Sequence, residues 1–136
     1  MEGYTEMISY KYDVAGITAT DLEPFFDGWS RKPDPDKRMR ILNNSDHVIV
    51  AMDEDIVVGF VNALTDKTIS AYIPLLEVIP EYRNRGIGSE LVQKMVSLLQ
   101  EHYMIDICCD KDLEKFYRKL GFTALSSMVI RNYDKI

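Results

Sequence analysis

Three sets of residues in this 136-residue sequence have the types and spacing to do chemistry. The first is Arg83-Asn84-Arg85-Gly86-Ile87-Gly88-Ser89, of the form Arg-x-x-Gly-x-Gly, set between an apolar strand pattern and an amphipathic helix pattern. Such a junction suits a phosphate. The first N–H groups of a helix have no intrahelical acceptor and carry the positive end of its dipole. Glycines let a bulky anion approach the backbone, and Arg83 and Arg85 add positive charge. The second is Tyr117, in Phe116-Tyr117 followed by Leu120-Gly121-Phe122, about thirty residues downstream. A phenol with a pKa near ~10 is protonated at neutral pH and can donate. The third is a scatter of proton acceptors: Glu77, His47, Asp110, and Tyr72 acting through a water.

Other chemistries fit poorly. A Walker loop needs Gly-Lys-Ser/Thr, but Ser89 follows Gly88 directly. A dinucleotide fingerprint needs a third glycine where Leu91 stands. Cys108 and Cys109 are neighbours, which strains an ordinary disulfide. Two cysteines and two histidines without ligand spacing give no zinc site, so no metal is expected. Net charge is −6, which argues against a nucleic-acid partner and is compatible with a cationic amine.

The elements must hold these residues together. At 46% hydrophobic and 28% charged, the chain is expected to fold as one domain over residues 1–136. No run is long enough to span a membrane, and MEGYTEMISYKYD has no signal-peptide core; a cytoplasmic protein without a membrane partner is expected. Met7–Tyr12 reads as a strand. Thr20 and Glu23 have capping-box spacing ahead of a short helix over Asp21–Trp29. Two prolines break Arg31–Pro35, and a helix resumes over Asp36–Asn44. His47–Met52, Ile56–Leu64 and Ile69–Ile79 read as an antiparallel meander. Pro74, inside the third strand, predicts a bulge or a splayed neighbour. Gly86–His102 is a helix with Ile87, Leu91, Met95, Leu98 and Leu99 on one stripe. Met104–Cys109 is a strand parallel to its predecessor, through a strand–helix–strand crossover. Asp112, a good N-cap, opens a helix to Leu120 that Gly121 closes. Strands from Phe122 and over Met128–Tyr133 finish the chain.

The two motifs together resemble the GNAT superfamily of acetyl-CoA-dependent N-acetyltransferases. Arg83–Gly88 is similar to its pyrophosphate loop, Leu76-Glu77-Val78-Ile79-Pro80 to the strand before it, and Phe116-Tyr117 with Leu120-Gly121-Phe122 to its downstream helix. The resemblance implies an α+β fold, mixed α/β, with a central, mostly antiparallel, splayed sheet of six to seven strands and about four helices. It implies acetyl-CoA as co-substrate, held by Leu76, Glu77 and Val78 along pantetheine and by Arg83, Asn84, Arg85, Gly86, Ile87, Gly88 and Ser89 at the pyrophosphate. A backbone N–H near Leu76 would polarise the thioester carbonyl. Tyr117 matches the general acid for the departing sulfur, and Glu77 is the candidate base, unless ordered water serves. The acceptor would be a small-molecule or peptide amine, bordered by Phe25–Asn44 and Ser126–Tyr133. An Asn that often follows the strand ending at Cys109 in the family is replaced by Asp110-Lys111-Asp112. The alternative function is a non-catalytic acyl-CoA-binding or regulatory module. Assembly stays open, homodimers being common in the family.

Overall fold

The strand pair His47–Asp53 (β2) and Ile56–Thr65 (β3) forms the centre of the molecule. Both are near-continuous apolar runs, and Val48–Ala51 and Val57–Ala63 are buried, which requires cover on both faces. One cover is helix α2, Ile87–Leu98, which brings Ile87, Leu91, Val92 and Met95 inward. Leu98, expected on the buried stripe, is 43% exposed, and Val92 takes its place. The other cover is aromatic: Phe25 and Phe26 pack on Phe60 with ring centres 5.2 and 6.2 Å away. This is a computed structural model, and it describes residues 7–136. The opening MEGYTE of the polar N-terminal stretch lies outside the described residues.

Among the described residues, six strands make the sheet. Ile8–Lys11 (β1) pairs antiparallel with β2, and β2 with β3. The expected third strand is split in two, Ser70–Ile73 (β4) and Leu76–Val78 (β5). Both pair antiparallel with β3, but the register steps between Leu64↔Tyr72 and Val61↔Leu76. Three steps along β3 thus face four along its partner, so the break at Pro74-Leu75 is a one-residue bulge. Proline is suited to it because it has no N–H for the ladder. Met104–Ile107 (β6) lies parallel to β4, the last pair being Ile73↔Ile107. Past that pair β5 follows β3 and does not pair with β6. The sheet is therefore splayed, with the crossover handing the chain from one side of the wedge to the other.

The remaining helices are α1, Pro35–Asn43, and α3, Glu114–Lys119, giving three among the described residues where about four were expected. Asp34 caps α1 by accepting from the Lys37 N–H at 2.8 Å, with Pro35 in the first turn. Asp21–Trp29 is not a helix. Only Thr20–Leu22 forms a 3-10 turn, without a side-chain cap, and Phe26 and Gly28 have φ of 66° and 86°, which no right-handed helix accommodates. Asp112 does not cap α3 but lies inside the 3-10 turn Lys111–Leu113. Gly121, at φ 100°, closes α3 as expected, with the Phe122 N–H returning to the Tyr117 carbonyl.

The two C-terminal strands are absent as well. Residues 123–136 are exposed, Leu125, Met128 and Ile130 almost completely. Strand propensity reports fit to a pleated, half-buried surface, and this segment reaches none. It runs instead toward α1 and the loop before it, where Lys37 and Arg31 donate to the carbonyls of Lys135 and Tyr133. Among the described residues no helix is long and apolar enough to cross a membrane.

Candidate active site

The ladder between β3 and β5 decides which backbone groups open into the wedge. Asn62 N–H bonds the Leu75 carbonyl, and Ile79 N–H bonds the Val58 carbonyl. In an antiparallel pair this sense alternates along the strand. Residues 75, 77 and 79 therefore turn their backbone toward β3, while Leu76 and Val78 turn theirs into the wedge. The expected set of three strand contacts is corrected to these two, because the Glu77 backbone is engaged by the sheet. The Val78 carbonyl also accepts from Arg83 Nε at 3.0 Å, leaving the N–H and carbonyl of Leu76 and the N–H of Val78 as the wedge's edge without a partner among the described residues.

The glycine loop meets this edge. A Cβ on Gly88 would lie 3.7 Å from the Phe116 ring and 3.9 Å from the side chains of Leu76 and Val78. Strand, loop and α3 thus converge at one point. Asn84 and Gly86 have φ of 64° and 83°, which turns the chain sharply into α2. No side chain caps α2, and its first intrahelical bond runs from Glu90 N–H to the Gly86 carbonyl. The amides of Ile87, Gly88 and Ser89 precede that bond and are left for an external acceptor. The two arginines are held by the protein itself. Arg83 reaches Asp27 at 3.5 Å besides Val78, and Arg85 donates to the Glu81 carbonyl at 2.7 Å and covers the Tyr82 ring. They brace the loop and set its charge.

Tyr117 is 6% exposed and stands edge-on between Phe116 and Phe122, with ring centres at 4.8 and 5.7 Å. Burial, and then the charge of Cys109, pushes its hydroxyl up to about 12. The phenol is accordingly a proton donor throughout the neutral range. Cys109 itself is exposed two residues past the end of β6, and Cys108 Sγ lies 3.8 Å from Ser127 Oγ.

Strand alternation sends the Glu77 side chain to the other face from Leu76 and Val78. There its carboxylate accepts from the Phe26 N–H at 3.0 Å, with the Trp29 side chain close enough to favour its charged form. Burial raises its pKa above the ordinary 4.5, against these two contacts and the Arg83 charge, with Asp27 adding to the rise. Trp29 also lines an open cleft of about 1050 Å³ between Gly28–Arg31 and Arg131–Ile136. Parts of the two segments expected to border the acceptor meet there. His47 does not join this group; it lines a separate hollow of about 210 Å³ with Leu42 and Ser45. Tyr72 lies on β4 and is 39% exposed, while Asp110 precedes the 3-10 turn before α3.

The buried polar residues that organise the site carry no sequence signature. Asn62, 2% exposed, sits in an apolar strand run, and Arg38, 7% exposed, in a charged helix sequence. Their partners are backbone groups many residues away, which no local pattern announces.

Comparison with known proteins adds an independent line. The model of the acetyltransferase (GNAT) family matches residues 14–122. A candidate acetyltransferase of known structure from Deinococcus radiodurans R1 superimposes with a TM-score of 0.90 at 39% identity, over 93% of this chain and 90% of that one. The uncharacterised N-acetyltransferase ycf52 of Pyropia yezoensis is 26% identical over 113 residues, 78% of this chain and 65% of that protein. The histone acetyltransferase TAP1 of Glycine max is 29% identical over 124 residues, 79% of this chain and 53% of that protein. The chain thus spans about half to two thirds of the length of these two curated relatives.

Proposed function

The chain belongs to the acetyltransferase (GNAT) family, and from that premise we propose that it transfers an acetyl group from acetyl-CoA to a primary amine by direct attack. The observation that carries this reading is the edge of Leu76 and Val78 left open among the described residues, facing the uncapped start of α2 and bordered by the helix of Tyr117. An extended chain of amides can add to such an edge as a strand does, and its phosphates can sit on the helix amides.

Acetyl-CoA would supply an activated thioester. Ile87, Gly88 and Ser89 N–H groups hold the pyrophosphate oxygens, with Asn84 and Gly86 shaping the loop. The Leu76 N–H polarises the acyl carbonyl, an oxyanion-type contact aimed at developing negative charge. Tyr117 gives its proton to the leaving sulfur and, with its raised pKa, does not lose it prematurely to solvent. Glu77 takes the proton that the attacking amine must shed, directly or through a water, and its desolvated carboxyl has the raised pKa such a base requires. The cleft beside Trp29 admits the amine.

The test is Tyr117→Phe, assayed by thiol release over a panel of primary amines, with acetyl-CoA affinity measured by calorimetry. A drop in kcat of about 100-fold with acetyl-CoA affinity kept within about threefold supports the acid role. Full activity of the variant across pH refutes it. Acetyl-CoA binding by the wild type without turnover on any amine would favour the non-catalytic module.

A further inference from the structure

Asn62 stands on β3 opposite the bulge and is almost fully buried. In a regular antiparallel pair, Asn62 and Leu75 would exchange two backbone hydrogen bonds. One is made, from Asn62 N–H to the Leu75 carbonyl at 3.2 Å. For the other, the Leu75 N–H bonds the Asn62 side-chain Oδ1 at 3.0 Å. The bulge has swung this amide off the ladder, and the side chain catches it. Asn62 Nδ2 donates in turn to Ser45 Oγ at 3.0 Å, and the Ser45 hydroxyl donates to the Ile41 carbonyl in α1 at 2.7 Å. Every hydrogen in this chain has an assigned direction. The lone Ser45 hydrogen goes to a carbonyl, so its oxygen must accept from Asn62. An amide turned the other way would set NH₂ against the Leu75 N–H.

We propose that Asn62 is a positioning residue for acyl transfer: anchored to α1 through Ser45, it holds the Leu75 amide in the bulge and so fixes the direction of the Leu76 N–H. The kinetic side of this inference rests on the function proposed above. Its physical basis is the period of two along a strand. The bulge is what shifts β5 by one residue relative to β4. A ladder without it would turn the backbone of Glu77 into the wedge and those of Leu76 and Val78 back toward β3. Leu75 N–H is the group that must leave the ladder for the shift to stand, and Asn62 Oδ1 is its acceptor.

The variants are Asn62→Leu, which removes acceptor and donor, and Asn62→Asp, which keeps Oδ1. Both are measured well below their melting temperatures, for kcat, acetyl-CoA Kd and the hydrogen exchange of the Leu75 amide by NMR. Asn62→Leu should lower kcat about 100-fold, the scale for losing one oxyanion donor, with a smaller loss of affinity, under about tenfold, because the loop amides still anchor acetyl-CoA while the Leu76–Val78 edge loosens. Leu75 should lose its protection. Asn62→Asp should recover at least tenfold of the lost kcat. Unchanged kcat in Asn62→Leu, or an equal fall of kcat and affinity in both variants, overturns the inference. Should Asn62→Leu fail to fold, Ser45→Ala replaces it, with kcat expected to fall about fivefold; no change overturns the link to α1. Should the wild type transfer acetyl to no amine, the proposed function fails. The inference is then decided by exchange alone: a Leu75 amide protected in the wild type and unprotected in Asn62→Leu or Ser45→Ala supports it, and equal exchange overturns it.

Discussion

Replacing Arg38 by methionine tests how the loop over Glu77 is held. Arg38 lies on α1 and is 7% exposed. Its Nε donates to the Pro33 carbonyl at 2.8 Å, and its Nη1 to the Leu22 and Glu23 carbonyls at 2.7 and 3.0 Å. The guanidinium also covers the Phe26 ring at 5.2 Å. One side chain thus ties both ends of the irregular segment whose Phe26 N–H holds Glu77. Hydrogen bonds from a charged donor are worth about 1.5–3 kcal/mol each, so three carry roughly 6 kcal/mol. Keeping a guanidinium out of water costs several kcal/mol, and methionine escapes that cost while retaining the apolar stem. The balance is a loss of about 3 kcal/mol. With an unfolding entropy of about 2.1 cal/mol/K per residue, the midpoint should fall by about 10 °C. Thermal and urea denaturation measure the loss, and hydrogen exchange at Phe26 shows whether it is concentrated in the loop. Arg38→Lys keeps the charge but not the fork and should recover less than half of the difference. If Arg38→Met is as stable as the wild type, desolvation of the guanidinium outweighs its bonds, and the Phe25 and Phe26 packing holds the segment unaided.

Other expectations follow from the same geometry. Because the Glu77 pKa is raised, mainly by burial, the acidic limb of kcat/KM against pH should lie above the ordinary glutamate range, with rate increasing as Glu77 ionises; Glu77→Gln should remove that limb. The same shift contributes stability that is fully present below pH 4.5 and is lost as pH rises through the raised value, so denaturation of Glu77→Gln against the wild type should show the difference moving in the variant's favour over that window. A Cβ on Gly59 would meet the Glu77 carbonyl and the Leu91 side chain, each at 3.1 Å. Gly59→Ala should therefore cost about 1–3 kcal/mol in urea titration, and an unchanged midpoint would mean that α2 does not press on β3 at that point.

The family and the glycine turn into α2 were legible because both rest on local sequence. Arg83–Ser89 must pass from strand to helix within a few residues, and only glycine-bearing sequences do so while leaving the helix amides uncovered. Pro74 likewise announced the bulge, since a residue without an N–H cannot serve the ladder. Where local patterns misled, a distant partner had intervened. Thr20 and Glu23 looked like a capping box, yet Arg38 takes the Leu22 and Glu23 carbonyls that a helix would have used. Met128–Tyr133 has strand composition, but a strand also needs an edge to join.

By itself, the sequence determined the order of elements from the β2–β3 hairpin to α3, most of the α2 stripe, the glycine turn into α2 and the presence of Tyr117 on the following helix, all properties of residues within a turn or two of one another. Tertiary structure alone decided which backbone groups face the wedge, that Glu77 is half-buried against the Phe26 N–H, that Tyr117 is buried between Phe116 and Phe122 with its pKa raised, and that Asn62 and Arg38 matter at all. Burial and hydrogen-bond direction depend on atoms that are distant along the chain and adjacent only after folding, so no pattern of neighbours encodes them.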